Sequence, residues 1–213
     1  MNALIGRKLG MTRVFGPDGS QVPVTVLQAG PCVVVQVKTA EADGYRAAQL
    51  GFDDQKESRL SKAELGHLRK HGAPAKRMLH EVALAAGEEA KPGDVVTVEL
   101  FKDATHVDVS GVTKGRGFQG VVRRHGMGGQ PQSHGHTVHR NPGSVGMREH
   151  PGRLLRGRRL PGQMGAVAVT TQSLQVVQVR PEDHVLLVRG SVPGPTGGTV
   201  VVRKAIKKAA KAT

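Results

Sequence analysis

The stretch VPVTVLQAGPCVVVQVK (22–38) sets the reading of this chain. Two β-branched runs, VPVTVLQ (22–28) and CVVVQVK (32–38), flank Ala29-Gly30-Pro31. Val and Thr crowd a helix at Cβ but pack well on a pleated surface, so both runs predict strands. The Gly-Pro step predicts a hairpin between them. The same logic extends outward to DVVTVEL (94–100), HVDVSGV (106–112), AVAVTT (166–171), LQVVQV (174–179) and HVLLVRG (184–190), nearly all bounded by Gly or Pro. Many short strands joined by turn residues predict a mainly β protein, either a small closed barrel or a sandwich. Cys32, the only cysteine, sits inside an apolar strand and reads as a small buried hydrophobe. A lone cysteine also excludes a disulfide scaffold.

One segment breaks the β pattern. Ser61-Lys62-Ala63-Glu64 has the spacing of a capping box and leads into LGHLRK before Gly72, which predicts a short helix. With RMLHEVAL (77–84) it predicts an α+β insertion over 40–91. The β core, barrel or sandwich, is then expected from 1–39, 92–120 and 165–204, an extended loop from 121–164, and a basic tail from 205–213.

Charge is distributed very unevenly. The 213 residues carry 31 Lys and Arg against 17 Asp and Glu, a formal net charge of +14. Residues 1–110 are neutral, with 14 of each sign, whereas 111–165 hold ten cations and one acid, Glu149. That same stretch has 14 of the 29 glycines, five of the ten histidines and no sustained helical or alternating period. Its apolar residues, Val138, Met147, Leu154 and Leu155 among them, are too scattered for a core of its own. Such a segment takes its packing and counter-charge from a partner, and folded RNA supplies both. The tail from Arg203, RKAIKKAAKAT, adds five cations; Lys204, Lys207, Lys208 and Lys211 would share one face of a short helix.

Several chemistries are excluded on residue grounds. No apolar run approaches the ~20 residues of a membrane span, and MNALIGRKLGMTR has no unbroken apolar segment of a secretory signal. A cytoplasmic protein with a polyanionic partner, no membrane partner, no small-molecule substrate and no cofactor is expected. GRGFQG (115–120) fits a dinucleotide fingerprint, but the region ~20 residues on offers Arg140 and Asn141 where an acid is needed. His134, His136 and His139 have the look of metal ligands, yet they lie among cations with one carboxylate nearby, so a metal-dependent hydrolase is disfavoured. A nucleoid-type DNA binder competes more seriously, but has little use for a long glycine-rich arm between strands. Five aromatics in the whole chain rule out many stacking platforms for single strands, which leaves a folded RNA read by shape and phosphate.

The candidate RNA ligands are therefore Lys114, Arg116, Arg123, Arg124, His125, His134, His136, His139, Arg140, Asn141, Arg148, Arg153, Arg156, Arg158, Arg159, Lys204, Lys207 and Lys208. Gly115, Gly117, Gly128, Gly129 and Gly143 are expected to permit close backbone approach or a positive φ.

LIGRKLGMTRVF (4–15) resembles the amino terminus of the bacterial ribosomal large-subunit protein L-three family. Phe101, Asp108, Gly111, Thr113, Gly115, Arg116, Gly117, Gly120 and Arg124 fall at the spacing of that family's signature. SHGHTVHRNPGSVG (133–146), PGQMGAVAVTTQSLQVV (161–177) and LLVRGSVPGPTGG (186–198) extend the likeness over nearly the whole chain. The resemblance implies a translation-protein-type closed β-barrel with a long loop that enters the large subunit. It implies direct binding to the large (23S) rRNA near its 3′ end, a part in nucleating assembly, and a loop that approaches the peptidyl-transferase region without supplying catalytic groups. It also implies L-fourteen and L-nineteen as neighbours, and a loop apex at about Asn141 to Arg153. Some bacterial members carry a methylated glutamine where Glu149 stands, so amide methylation is not expected; Glu149 should pair with Arg148 or Arg153, or hold a hydrated cation.

Overall fold

A computed structural model describes residues 1–85 and 87–208. Its strands are β1 (Ala3–Phe15), β2 (Gln21–Ala29), β3 (Cys32–Lys38), β4 (Ala47–Asp54), β5 (Lys76–Ala83), β6 (Val95–Val96), β7 (His106–Val112), β8 (Gly117–Gln119), β9 (Gly162–Met164), β10 (Ala168–Arg180), β11 (Val185–Arg189) and β12 (Thr199–Lys204). The α-helices are short: α1 (Ala40–Asp43), α2 (Lys62–Lys70) and α3 (Val121–His125). Two compact units result, Met1–Val112 with the chain from Ala168 onward, and Thr113–Val167.

In the first unit six strands close a barrel in the order β1-β12-β7-β10-β11-β2, every neighbouring pair antiparallel. Closure leaves no edge to pair with another chain. The core it encloses is aliphatic: Leu4, Leu27, Val107, Val109, Leu186, Val188, Val200 and Val202 are all buried. A buried cation also belongs to this unit. The Lys8 ammonium donates to the carbonyls of Val192 at 2.8 Å and Gly194 at 3.2 Å, which offsets the cost of taking it out of water.

A four-stranded sheet, β5-β4-β3-β6, packs in the same unit and shares the barrel's hydrophobic cluster through Val34, Ala48, Leu50, Phe52 and Val82. Asp53 on β4 receives both Arg7 of β1 and Arg77 of β5, the latter at 3.4 Å, and Asp54 pairs with Lys76 at 2.6 Å. The capping box is present in full. Ser61 Oγ accepts from the Glu64 amide at 3.3 Å, and the Glu64 carboxylate accepts from the Ser61 amide at 2.9 Å. The Ser61 amide and the Ser61 hydroxyl, each donating to that carboxylate at 2.9 Å, hold the Glu64 carboxyl below its ordinary range. Ser61→Ala should lower the melting temperature by about 2–4 °C in a thermal scan at neutral pH. The deficit should shrink in acid, because a depressed carboxyl contributes stability above its unfolded pKa and loses it as pH falls.

The architecture corrects four expectations. VPVTVLQ and CVVVQVK are strands but not a hairpin: β2 lies in the barrel between β1 and β11, whereas β3 pairs with β4 and β6 in the other sheet. Gly30, at φ +76° and donating to Ile5 O at 3.1 Å, turns the chain out of one sheet into the next. DVVTVEL is not one strand; it divides into β6 and a 3₁₀ turn, Val98–Phe101. AVAVTT and LQVVQV are one strand, β10, with a register irregularity between Thr171 and Leu174. At the carboxyl end β12 runs to Lys204 and Ala205 is buried, its amide donating to His106 O at 3.1 Å, so no helix starts at Lys204. Lys211 lies outside the described residues.

Cys32 is buried as expected, its thiol donating to Ile5 O at 3.4 Å. Burial pushes its pKa up to about 11, against smaller opposing effects of that hydrogen bond and of Lys76. At pH 8 the thiolate fraction is then about one in a thousand. Iodoacetamide should leave the folded protein unlabelled over an hour and label it fully in guanidinium, as read by intact mass; rapid native labelling would contradict this burial.

Candidate nucleic-acid interface

The second unit begins and ends where the barrel delivers it, since Val112 on β7 and Ala168 on β10 are Cα partners. Its two limbs start as a ladder. Thr113 N donates to Val167 O at 2.9 Å, Arg116 N to Met164 O at 2.9 Å, and β8 pairs antiparallel with β9. Gly165 is forced to be glycine: it has φ +74°, and a Cβ there would stand 2.1 Å from Lys114 O. No sequence pattern singled out that position, because the constraint comes from a residue 51 places earlier in the chain.

After β8, GRGFQG does run into a helix, α3, but it is five residues long, ends at Gly126 in the left-handed region, and carries Arg123, Arg124 and His125 in its last turn. Two of those side chains close the base of the loop. Arg124 Nη1 donates to Leu160 O at 2.6 Å, and His125 Nε2 to the same oxygen at 3.0 Å. Their remaining N–H groups are what they can offer a ligand. Arg123 is exposed and reaches only Gln119 Oε1, at 3.4 Å. Val121 is the one buried residue in the whole unit.

Beyond the base the chain is held by polar contacts. Gln130 N donates to His139 O at 2.8 Å, and His139 Nδ1 to Pro131 O at 2.8 Å. Gly129 lies at φ +77° with its would-be Cβ 2.5 Å from His139 O, so only glycine fits. Gly117 and Gly143 also take positive φ; Gly115 and Gly128 do not and meet no tight contact, so nothing within the chain requires glycine at those two. The His136 and His139 rings are 6.5 Å apart, and His136 Nδ1 accepts from Val138 N at 3.3 Å. Among the described residues no three His, Cys, Asp or Glu side chains converge to hold a metal ion. No helix of the described residues is long and apolar enough to cross a membrane.

The cations are left facing water. Lys114, Arg116, Arg140, Asn141, Arg148, Arg153, Arg156, Arg158 and Arg159 are exposed, as are His134 and His136 here and Lys204, Lys207 and Lys208 in the barrel unit. None of the seven ion pairs among the described residues involves Thr113–Val167. That includes Glu149, which pairs with neither Arg148 nor Arg153, so of the expected arrangements the ion pair does not form. An exposed pair gains at most about 1 kcal/mol, too little to hold two long side chains in register. Ten cations without an internal counter-charge form a single-sign field, the electrostatic footprint of a polyanion ligand.

Comparison with known proteins agrees with this geometry. Residues 62–185 match the model of the family described as ribosomal protein L3. The chain is 46% identical over 208 residues to large ribosomal subunit protein uL3 of Geobacillus sp. (strain WCH70), covering 98% of both chains. It is likewise 46% identical over 209 residues to the protein of the same name from Geobacillus kaustophilus (strain HTA426), again covering 98% of each. A mainly β chain with a closed six-stranded barrel and an unpaired basic arm, similar from end to end to these relatives, belongs to the ribosomal protein L3 family.

Proposed function

We propose that this chain is a structural constituent of the large ribosomal subunit, working in the bacterial cytoplasm, and that it binds the 23S rRNA directly near its 3′ end. The observation that carries this reading is the arm: 55 residues with ten cations, one acid, one buried side chain and no ion pair. A segment so poor in core and so rich in unpaired charge gains order from a phosphate-lined mould, each guanidinium displacing condensed counterions as it docks. Arg116, Arg123, Arg124, Arg140, Arg148, Arg153, Arg156, Arg158 and Arg159 are the phosphate ligands on this reading. Lys114 and the tail lysines, Lys204, Lys207 and Lys208, add to the field. His134, His136, His139 and Asn141 contribute hydrogen bonds to phosphate or ribose. Glycine-rich backbone lets RNA approach closely.

The barrel docks on the subunit surface and helps nucleate assembly, with L-fourteen and L-nineteen as neighbours, while the arm extends toward the peptidyl-transferase region. Its role there is shape and charge. Footprinting the full chain on large-subunit rRNA with duplex DNA as competitor tests the reading. Protection of one defined rRNA region, resistant to excess DNA, is expected. Equal competition by DNA would instead support a nucleoid-type binder.

A further inference from the structure

One feature of the arm is left unexplained by phosphate binding. Val145, Met147, Pro151 and Leu155 line a cleft of about 380 Å³ together with Arg153 and Arg158. The cleft is held by its own contacts: the Arg158 guanidinium donates to Ser144 O, Ser144 Oγ to Gly146 O at 3.1 Å, and Arg158 N to Leu155 O at 3.3 Å. Met147 and Leu155 are nonetheless 75% and 59% exposed. Phosphates give nothing to such groups, because only contact with another apolar surface removes them from water.

In folded RNA the apolar surface is the face of a base, and stacked bases hide it. The geometry points to a nucleotide cleft: an unstacked rRNA base packs on Met147 and Leu155, and its flanking phosphates are met by Arg153 and Arg158. This rests on the rRNA-binding reading above and names the chemistry of one subsite within it. An apolar side chain of a neighbouring protein would also cover Met147 and Leu155. It would, however, leave two guanidiniums beside a dry contact without counter-charge, a costly arrangement. A nucleotide satisfies both halves at once. No histidine or other aromatic ring lines this cleft, so no ring serves as a stacking platform there. Aliphatic and thioether contacts then hold the base by shape and dispersion, with little preference among the four.

The test uses the full chain bound to large-subunit rRNA, with dimethyl sulfate and ribose acylation read at each nucleotide. Wild-type protein should change reactivity at one nucleotide or an adjacent pair. Leu155→Asn and Met147→Ala should return that position to free-RNA reactivity, a change of at least about fivefold, with overall Kd altered less than about threefold because most of the affinity is electrostatic. Arg153→Gln should lower the salt dependence by about one contact. Failure of the wild-type chain to prefer rRNA over duplex DNA would sink the ribosomal reading itself. Retained rRNA binding with no nucleotide responding to either apolar variant would overturn the cleft alone. So would a photoreactive diazirine analogue at Met147 that crosslinks to protein and not to RNA in assembled subunits.

Discussion

Replacing Thr113–Val167 with a short Gly-Ser turn should leave a folded barrel that has lost at least about a thousandfold in rRNA affinity at 50 mM salt. The fold is expected to survive for two reasons. No residue of that unit belongs to the buried cluster of the barrel, and Val112 and Ala168 are already partners across β7 and β10, so a tight turn can join them. The affinity is expected to collapse because the replacement removes ten cations and one acid from a chain of net charge +14. If six to ten of those cations each neutralise a phosphate, the wild-type complex should weaken about 10³–10⁵-fold between 50 and 200 mM salt. The truncated protein should show a much shallower slope. Circular dichroism and a thermal scan report on the barrel, and filter binding over a salt series reports on the arm. An unchanged slope would move the interface to Lys204, Lys207 and Lys208; an unfolded product would mean that arm and barrel are one cooperative unit.

The parts of this protein legible in its sequence are those decided locally. β7 and β11 appear where Val and Leu run between turn residues, and α2 appears because Ser61 and Glu64 satisfy each other's amides within one turn. The arm's charge is legible because a count of signs needs no fold. Pairing is a different matter. β3 is a near-continuous apolar run with every residue buried or half-buried, and such a run carries no alternation to say which sheet it joins. Gly165 and the clip of Arg124 and His125 on Leu160 escaped for the same reason: their partners lie dozens of residues away, and residue type alone is silent about them. The cleft of Met147 and Leu155 is half visible in the sequence, where both read only as apolar residues too scattered for a core.

The segment most misread in sequence is also the one where a single substitution should cost most. DVVTVEL reads as a strand on residue type, yet β6 ends at Val96 after pairing with Cys32 and Val33, and the chain then tightens into the turn Val98–Phe101. In a 3₁₀ turn positions three apart eclipse, so Val98 and Phe101 face the same way, and both are fully buried in the shared cluster of barrel and sheet. Phe101 is the largest of the fully buried side chains, and a close-packed core collapses only partly onto the hole its loss would leave. Phe101→Ala should therefore cost about 3–5 kcal/mol, a large share of the roughly 5–15 kcal/mol that holds a domain together. With a urea dependence of ~2 kcal/mol per molar, the unfolding midpoint should fall by about 2 M. Phe118→Ala, in the exposed strand β8, is the matched control and should move the midpoint by no more than about 0.3 M. If both substitutions behaved alike, the buried turn would not be part of the core, and the division of this chain into a packed barrel and a core-poor arm would lose its physical basis.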